Sequence, residues 1–155
     1  MDIRFAKAHD VEAVLPMVVK ICALHEAWDP AKYGYRPHPE EGYRRWLTKR
    51  ADDPRSVFIV AQREQRIVAY LVGTVEAEIP IYRVKEFGFI HDLWVEEEYR
   101  HEGIARQMVM LAIERFKEMG VPQIRLDTVL ANDPARKLFA SCGFRISVME
   151  MLIEL

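Results

Sequence analysis

A chain of 155 residues with 22 Lys and Arg against 24 Asp and Glu is long enough for one domain with a real core, residues 1–155, and has no basic field to hold nucleic acid. Half its residues are apolar and 30% are charged, as in a globular protein, and no apolar run nears the ~20 residues that span a bilayer, so no membrane partner is expected. Cys22 and Cys142 are the only cysteines, too few for a disulfide framework or a metal cluster, and Met1-Asp2-Ile3-Arg4-Phe5 lacks a signal-peptide core. A cytoplasmic location and no metal are expected.

In chain order, Ile3–Ala6 reads as a first strand. Asp10 can cap a helix towards His25, which Pro16 should kink or split, since an interior proline costs ~3 kcal/mol. The segment 28–39, with Pro30, Gly34, Pro37 and Pro39, reads as loop. Glu40–Lys49 is a second helix with Tyr43, Trp46 and Leu47 on one face, broken by Asp52-Asp53-Pro54. Val57–Ala61 and Ile67–Val75 form a hairpin across the polar turn 62–66, and Phe87–Val95 is the next strand. Ile104, Met108, Leu111, Ala112 and Met119 recur at helical spacing up to Gly120. Gln123–Thr128 is a strand. Asp133-Pro134 is an N-cap and N1 pair for a helix to Ser141, closed by Gly143. Phe144–Leu155 supplies one or two last strands. The order βααβββαβαβ predicts an α/β fold: a mixed sheet flanked by helices.

The stretch from Gly88 to Ala105 says most about function. An apolar strand ends at Val95, a charged loop follows, and Arg100-His101-Glu102-Gly103-Ile104-Ala105 opens an amphipathic helix. Free N–H groups in a helix's first turn and the helix dipole favour an anion there, and Gly103 lets it approach the backbone. The expected guest is a phosphate or pyrophosphate. Taken singly, Gly103 could simply start a helix, and Arg100 and His101 could be solvated loop charges.

Together with this element order, Arg-x-x-Gly-x-Ala after the fourth strand resembles the GNAT N-acetyltransferase superfamily. Asn132-Asp133-Pro134-Ala135-Arg136-Lys137-Leu138-Phe139-Ala140-Ser141-Cys142-Gly143-Phe144 is similar to that family's Asn-x-x-Ala-x-x-Leu-Tyr-x-x-x-Gly-Phe stretch. The resemblance implies a GNAT-like fold, acetyl-CoA as acyl donor and an amine as acceptor, its identity open. It implies that Arg100, His101, Glu102, Gly103, Ile104 and Ala105 cradle the pyrophosphate. The backbone of Leu93, Trp94 and Val95 would pair with the pantetheine arm between splayed fourth and fifth strands. Asn132 would bond the arm, and Ala135 and Phe139 would pack near it. An N–H near Leu93 or Trp94 would stabilise the oxyanion of a tetrahedral intermediate.

Direct transfer also needs a general base. Strand alternation puts Phe89, His91, Leu93 and Val95 on one face, and His91 matches a position where relatives carry glutamate or histidine; an imidazole already titrates near pH 6.5. Its plain alternative is a core histidine. Asp92, expected on the opposite face, is a second catalytic candidate whose simpler job is a structural hydrogen bond. Glu76 and Glu78 are further candidates that could equally be a solvated strand end. Phe139 stands where many relatives have a tyrosine that protonates the leaving thiolate, which keeps open an acetyl-CoA-binding module without turnover. By resemblance the acceptor region includes His25, Glu26, Trp28, Asp29, Tyr33, Tyr35, His38, Tyr43 and Trp46, whose aromatics and carboxylates suit a cationic amine. A homodimer is one open assembly.

Overall fold

The computed structural model describes residues 1–155. The strands are β1 (Asp2–Phe5), β2 (Ser56–Arg63), β3 (Arg66–Ala77), β4 (Glu86–Val95) and β5 (Ile124–Leu126). The helices are α1 (Val11–Trp28), α2 (Pro30–Tyr33), α3 (Pro39–Asp52), α4 (Ile104–Glu118) and α5 (Asp133–Ser141). The sheet order is β1-β2-β3-β4-β5. Neighbours are antiparallel from β1 to β4, and β5 runs parallel to β4. The mixed sheet flanked by helices is therefore as expected.

Each face of the sheet covers its own apolar cluster. On one side, α4 sets Ile104, Met108, Val109, Ala112 and Phe116 against Ile59, Leu71, Ile90 and Val95. On the other, α1 and α3 bring Val14, Met17, Val18 and Leu47 onto Phe58, Val60, Tyr70 and Val72. Gly73 and Gly88 make way for Phe116. A Cβ on Gly88 would come within 2.7 Å of the Phe116 ring, and one on Gly73 within 3.0 Å.

Several local expectations change. Pro16 does not split α1. It lies on the exposed face, where water can satisfy the carbonyl it leaves unpaired. Asp10 does not cap α1 through its side chain. Its carboxylate accepts from the Lys7 N–H at 2.8 Å and from both terminal nitrogens of Arg4 at 2.8 and 2.9 Å. The expected loop 28–39 contains α2, capped by Asp29, whose side chain accepts from the Lys32 N–H. The N-cap of α5 is Asn132, one residue before the expected Asp133.

Two corrections bear on function. The β3–β4 register shifts between Val72 and Gly73, with Val72 opposite Asp92 and Gly73 opposite Ile90. His91 is thus the extra residue of a bulge, and simple alternation fails there. Leu93 and Val95 join the α4-side cluster, while His91 meets Trp46 of α3 and Asp92 meets Tyr70 on that same α3 side. The shared face expected for His91, Leu93 and Val95 does not exist, and neither do opposite faces for His91 and Asp92. The second correction concerns residues 144–155, which form no strand.

Candidate active site

β5 is short, and that opens the site. It pairs with β4 only through Gly88, Phe89 and Ile90, whereas β3 follows β4 to Val95. From His91 onward, the β5-facing edge of β4 has no neighbouring strand. Ladder parity decides which groups face this slot. The Glu96 N–H bonds the Val68 carbonyl at 2.9 Å, so Trp94, two residues back, also turns its N–H towards β3. Leu93 and Val95 turn theirs into the slot. The Val95 carbonyl points the same way and is taken by Arg100 Nε at 3.0 Å. Of the two expected oxyanion donors, Leu93 faces the slot and Trp94 does not. Trp94 instead donates its indole N–H to Glu96 at 3.2 Å and lies under the Arg100 guanidinium.

The loop beyond β4 is a 3₁₀ turn (Glu97–Tyr99) followed by His101 and Gly103, both left-handed at φ 65° and 78°. The N–H groups of residues 101 to 106 donate to no protein acceptor. Consecutive free N–H groups at a helix start make an anion nest. A Cβ on Gly103 would find nothing nearer than Gln107 Nε2 at 3.9 Å, so the glycine serves backbone conformation and open access, not packing. Ile104 is buried and closes the underside. Ion pairs Arg63–Glu102 at 3.1 Å and Arg66–Glu98 at 3.2 Å strap the loop to the β2–β3 hairpin. Arg100 and Glu102 therefore shape the loop with side chains already engaged.

Asn132 Oδ1 accepts from the Ala135 N–H at 3.2 Å and so caps α5, while its amide NH₂ has no protein partner. Ala135 packs against the α4-side cluster. Phe139 is buried with its ring edge-on to Phe144, centroids 5.6 Å apart.

His91 stands at the bulge with Trp46 and Phe89 at ring centroid distances of 5.1 and 5.0 Å. Its Nε2 lies 2.7 Å from Thr74 Oγ1, and Thr74 donates to Glu76 Oε1 at 2.7 Å. A hydroxyl has one proton. Because Thr74 gives its own to Glu76, it accepts from His91 Nε2–H, which leaves the Nδ1 lone pair free. Burial pushes the His91 pKa below its ordinary value; Glu76 works against this and Arg50 adds to it. The imidazole is therefore neutral near pH 7. Thr74 was not singled out in the sequence, although a threonine two residues before Glu76 on one strand shares its face.

Asp92 is 8% exposed. It accepts from the Tyr70 hydroxyl at 3.4 Å, and burial raises its pKa while Tyr43 and Tyr70 oppose the rise. It ties α3 and β3 to β4. Glu78 accepts from Arg125 of β5 at 2.6 Å and is no free base. The expected acceptor residues form two groups. His25, Trp28 and Tyr33 stack where α1 meets α2. Tyr43 and Trp46 adjoin His91 and Asp92. Tyr35 and His38 are exposed.

The family model described as "Acetyltransferase (GNAT) family" matches residues 21–144. N-acetyltransferase 8 of Homo sapiens is 32% identical over 90 residues, 58% of this chain and 39% of that protein. N-alpha-acetyltransferase 30 of Saccharomyces cerevisiae is 28% identical over 92 residues, 59% of this chain and 52% of that protein. The chain thus spans less than two thirds of either relative. A variant of the BH1408 protein from Bacillus halodurans superposes with TM-score 0.85 at 24% identity, covering 100% of this chain and 99% of that one. An aminoglycoside 6'-N-acetyltransferase from Acinetobacter haemolyticus superposes with TM-score 0.75 at 15% identity, covering 100% and 98%. Both likenesses concern the fold.

Proposed function

Because the chain belongs to the acetyltransferase (GNAT) family, we propose that it is an N-acetyltransferase moving an acetyl group from acetyl-CoA to a primary amine. The amine is a small cation, or a lysine or N-terminal amine of a protein. The relatives' names, N-acetyltransferase and N-alpha-acetyltransferase, are consistent with an amine acceptor. The observation that carries the proposal is the run of free N–H groups from 101 to 106 around an unfilled Gly103. It fits a pyrophosphate, and the slot beyond Ile90 fits an extended amide-bearing arm.

When bound, acetyl-CoA supplies an activated thioester, so that an amide C–N bond forms as the C–S bond breaks. The chain's residues do the rest. The nest and Leu93 N–H hold the donor, and the Leu93 N–H is aimed to stabilise charge on the acyl oxygen. His91 Nδ1 takes the ammonium proton, directly or through one water, so that a neutral amine attacks. As the imidazole charges, its Nε2–H stays bonded to Thr74, and Glu76 behind it stabilises the cation. Trp46 and Phe89 offer apolar and cation–π contact to the amine before it loses its proton. No tyrosine hydroxyl stands at position 139, so the second proton of the attacking nitrogen, released as the intermediate collapses, reaches the leaving thiolate through water. That same Phe139 favours the second reading, an acetyl-CoA-binding module without turnover.

Calorimetry with acetyl-CoA tests the cradle. Gly103→Ala adds a single carbon and costs the fold about 1 kcal/mol for the left-handed backbone. It should weaken acetyl-CoA binding at least tenfold by blocking close approach. Equal affinity in wild type and variant would refute the cradle.

A further inference from the structure

Glu96, the first residue past β4, is buried although it carries a charge. Its carboxylate accepts from Lys20 Nζ of α1 at 2.7 and 2.8 Å and from the Trp94 indole N–H at 3.2 Å. The two ends of the ion pair differ, the Glu96 side chain being 8% exposed and that of Lys20 49%. Burial alone would raise the Glu96 pKa, and the hydrogen bonds from Lys20 and Trp94 bring it below its ordinary value. A surface ion pair contributes little, but a buried carboxylate that loses its cation is left with an uncompensated charge. Lys20 is thus the group that lets Glu96 stay both charged and buried.

Trp94 and Glu96, two residues apart on an extended chain, share a side, and there Trp94 packs against the α1–α3 cluster. The Arg100 guanidinium lies over the indole, 5.0 Å from its centroid, while Arg100 Nε holds the Val95 carbonyl at 3.0 Å. The free N–H groups begin at the next residue, His101. A chain of contacts therefore runs from Lys20 through Glu96 and Trp94 to Arg100 and the start of the nest. The loop's other ion pairs, Arg63–Glu102 and Arg66–Glu98, are exposed at both ends, so its buried anchor is Glu96. Taking acetyl-CoA as the donor, we propose that Lys20 and Glu96 are positioning residues for it: the pair holds the Trp94 indole as a platform for Arg100 and so keeps the loop in its anion-binding shape. Without Lys20, the Glu96 carboxylate turns to nearby Arg66 or to water, and the indole loses its acceptor.

Calorimetric titration of acetyl-CoA into the intact chain tests this. Lys20→Met keeps a good helix former on the exposed face of α1. It should weaken acetyl-CoA binding about tenfold, and Lys20→Arg, which keeps the cation, should restore the affinity. Glu96→Gln retains an acceptor for the indole and leaves no charge to bury, so adding Lys20→Met to it should change the affinity by no more than about twofold. Glu96→Leu removes the acceptor and should cost about tenfold again. The indole N–H resonance of Trp94, identified by its loss in Trp94→Phe, should move in Lys20→Met with no ligand present, which reads the relay apart from the donor. Unchanged acetyl-CoA affinity in folded Lys20→Met would overturn the proposal, as would an indole resonance that stays in place or equal affinities in Glu96→Gln and Glu96→Leu. So would an equal loss on adding Lys20→Met to wild type and to Glu96→Gln, the mark of a charge acting at a distance. A wild type that binds no acetyl-CoA would strike the donor reading itself, and the positioning role with it, even where the indole responds.

Discussion

At the scale of single residues, the proposed chemistry turns on an imidazole whose direction is set by its neighbours. A bulge places His91 beside Thr74, and Thr74 and Glu76 fix which nitrogen carries the proton. Activity should fall on acidification as His91 becomes charged, with a midpoint below the usual 6.5 because burial disfavours the cation. Glu76 acts in the opposite sense by favouring the charged ring. Removing its charge in Glu76→Gln should therefore lower the His91 pKa further and move the acidic limb of kcat/KM to lower pH. A limb that stays in place, or moves up, would show that His91 and Glu76 are not linked in turnover. His91 itself was visible in the sequence from its strand and from the family likeness. Its orientation was not. The bulge opposite Gly73 leaves no mark on the alternation of residues 86–95, so counting by twos puts His91 with Leu93 and on the wrong side of the sheet from Asp92. The choice of Leu93 over Trp94 was hidden for a similar reason, because it depends on which N–H groups β3 uses.

At the scale of elements, the slot exists because β4 outruns β5, and Phe116 of α4 packs under their junction between Gly73 and Gly88. Gly88 also donates its N–H to the Gln123 carbonyl at 2.8 Å. Gly88→Ala would push a Cβ into the Phe116 ring, an overpacking that should cost about 1–3 kcal/mol. Urea denaturation should show the lower midpoint. An unchanged midpoint would mean that the ring moves aside freely and that the junction is not tightly built. Most elements were readable because they carry local signals. Gly120 ends α4 with φ 77°, and the polar turn after Ala61 marks the hairpin. The α4 pattern still missed Phe116 and Val109, which the sheet buries as fully as Met108. The last strands were expected from composition alone. A strand also needs an edge to pair with, and no sequence window records whether residues 144–155 meet one.

At the scale of the molecule, the sheet separates two tasks. The α4 side supplies the run of free N–H groups and buries the strand ends that line the slot beside β4. The α1 and α3 side supplies the aromatic surroundings of His91 and buries Asp92. With 22 basic and 24 acidic side chains, no overall field steers a ligand, so recognition must be local, at free N–H groups and at the Trp46–His91–Phe89 cluster. The central claim is that these parts together transfer an acetyl group. The most direct measurement is release of CoA thiol at saturating acetyl-CoA over a panel of polyamines, aminoglycosides, amino acids and peptides, run on wild type and His91→Ala. The account expects amine-dependent thiol release by wild type. It expects a loss of about 10²–10⁴-fold in His91→Ala, the usual cost of a missing general base, with acetyl-CoA affinity unchanged. Amine-dependent release that is undiminished in His91→Ala, or no release with any amine from a protein that binds acetyl-CoA, would contradict it.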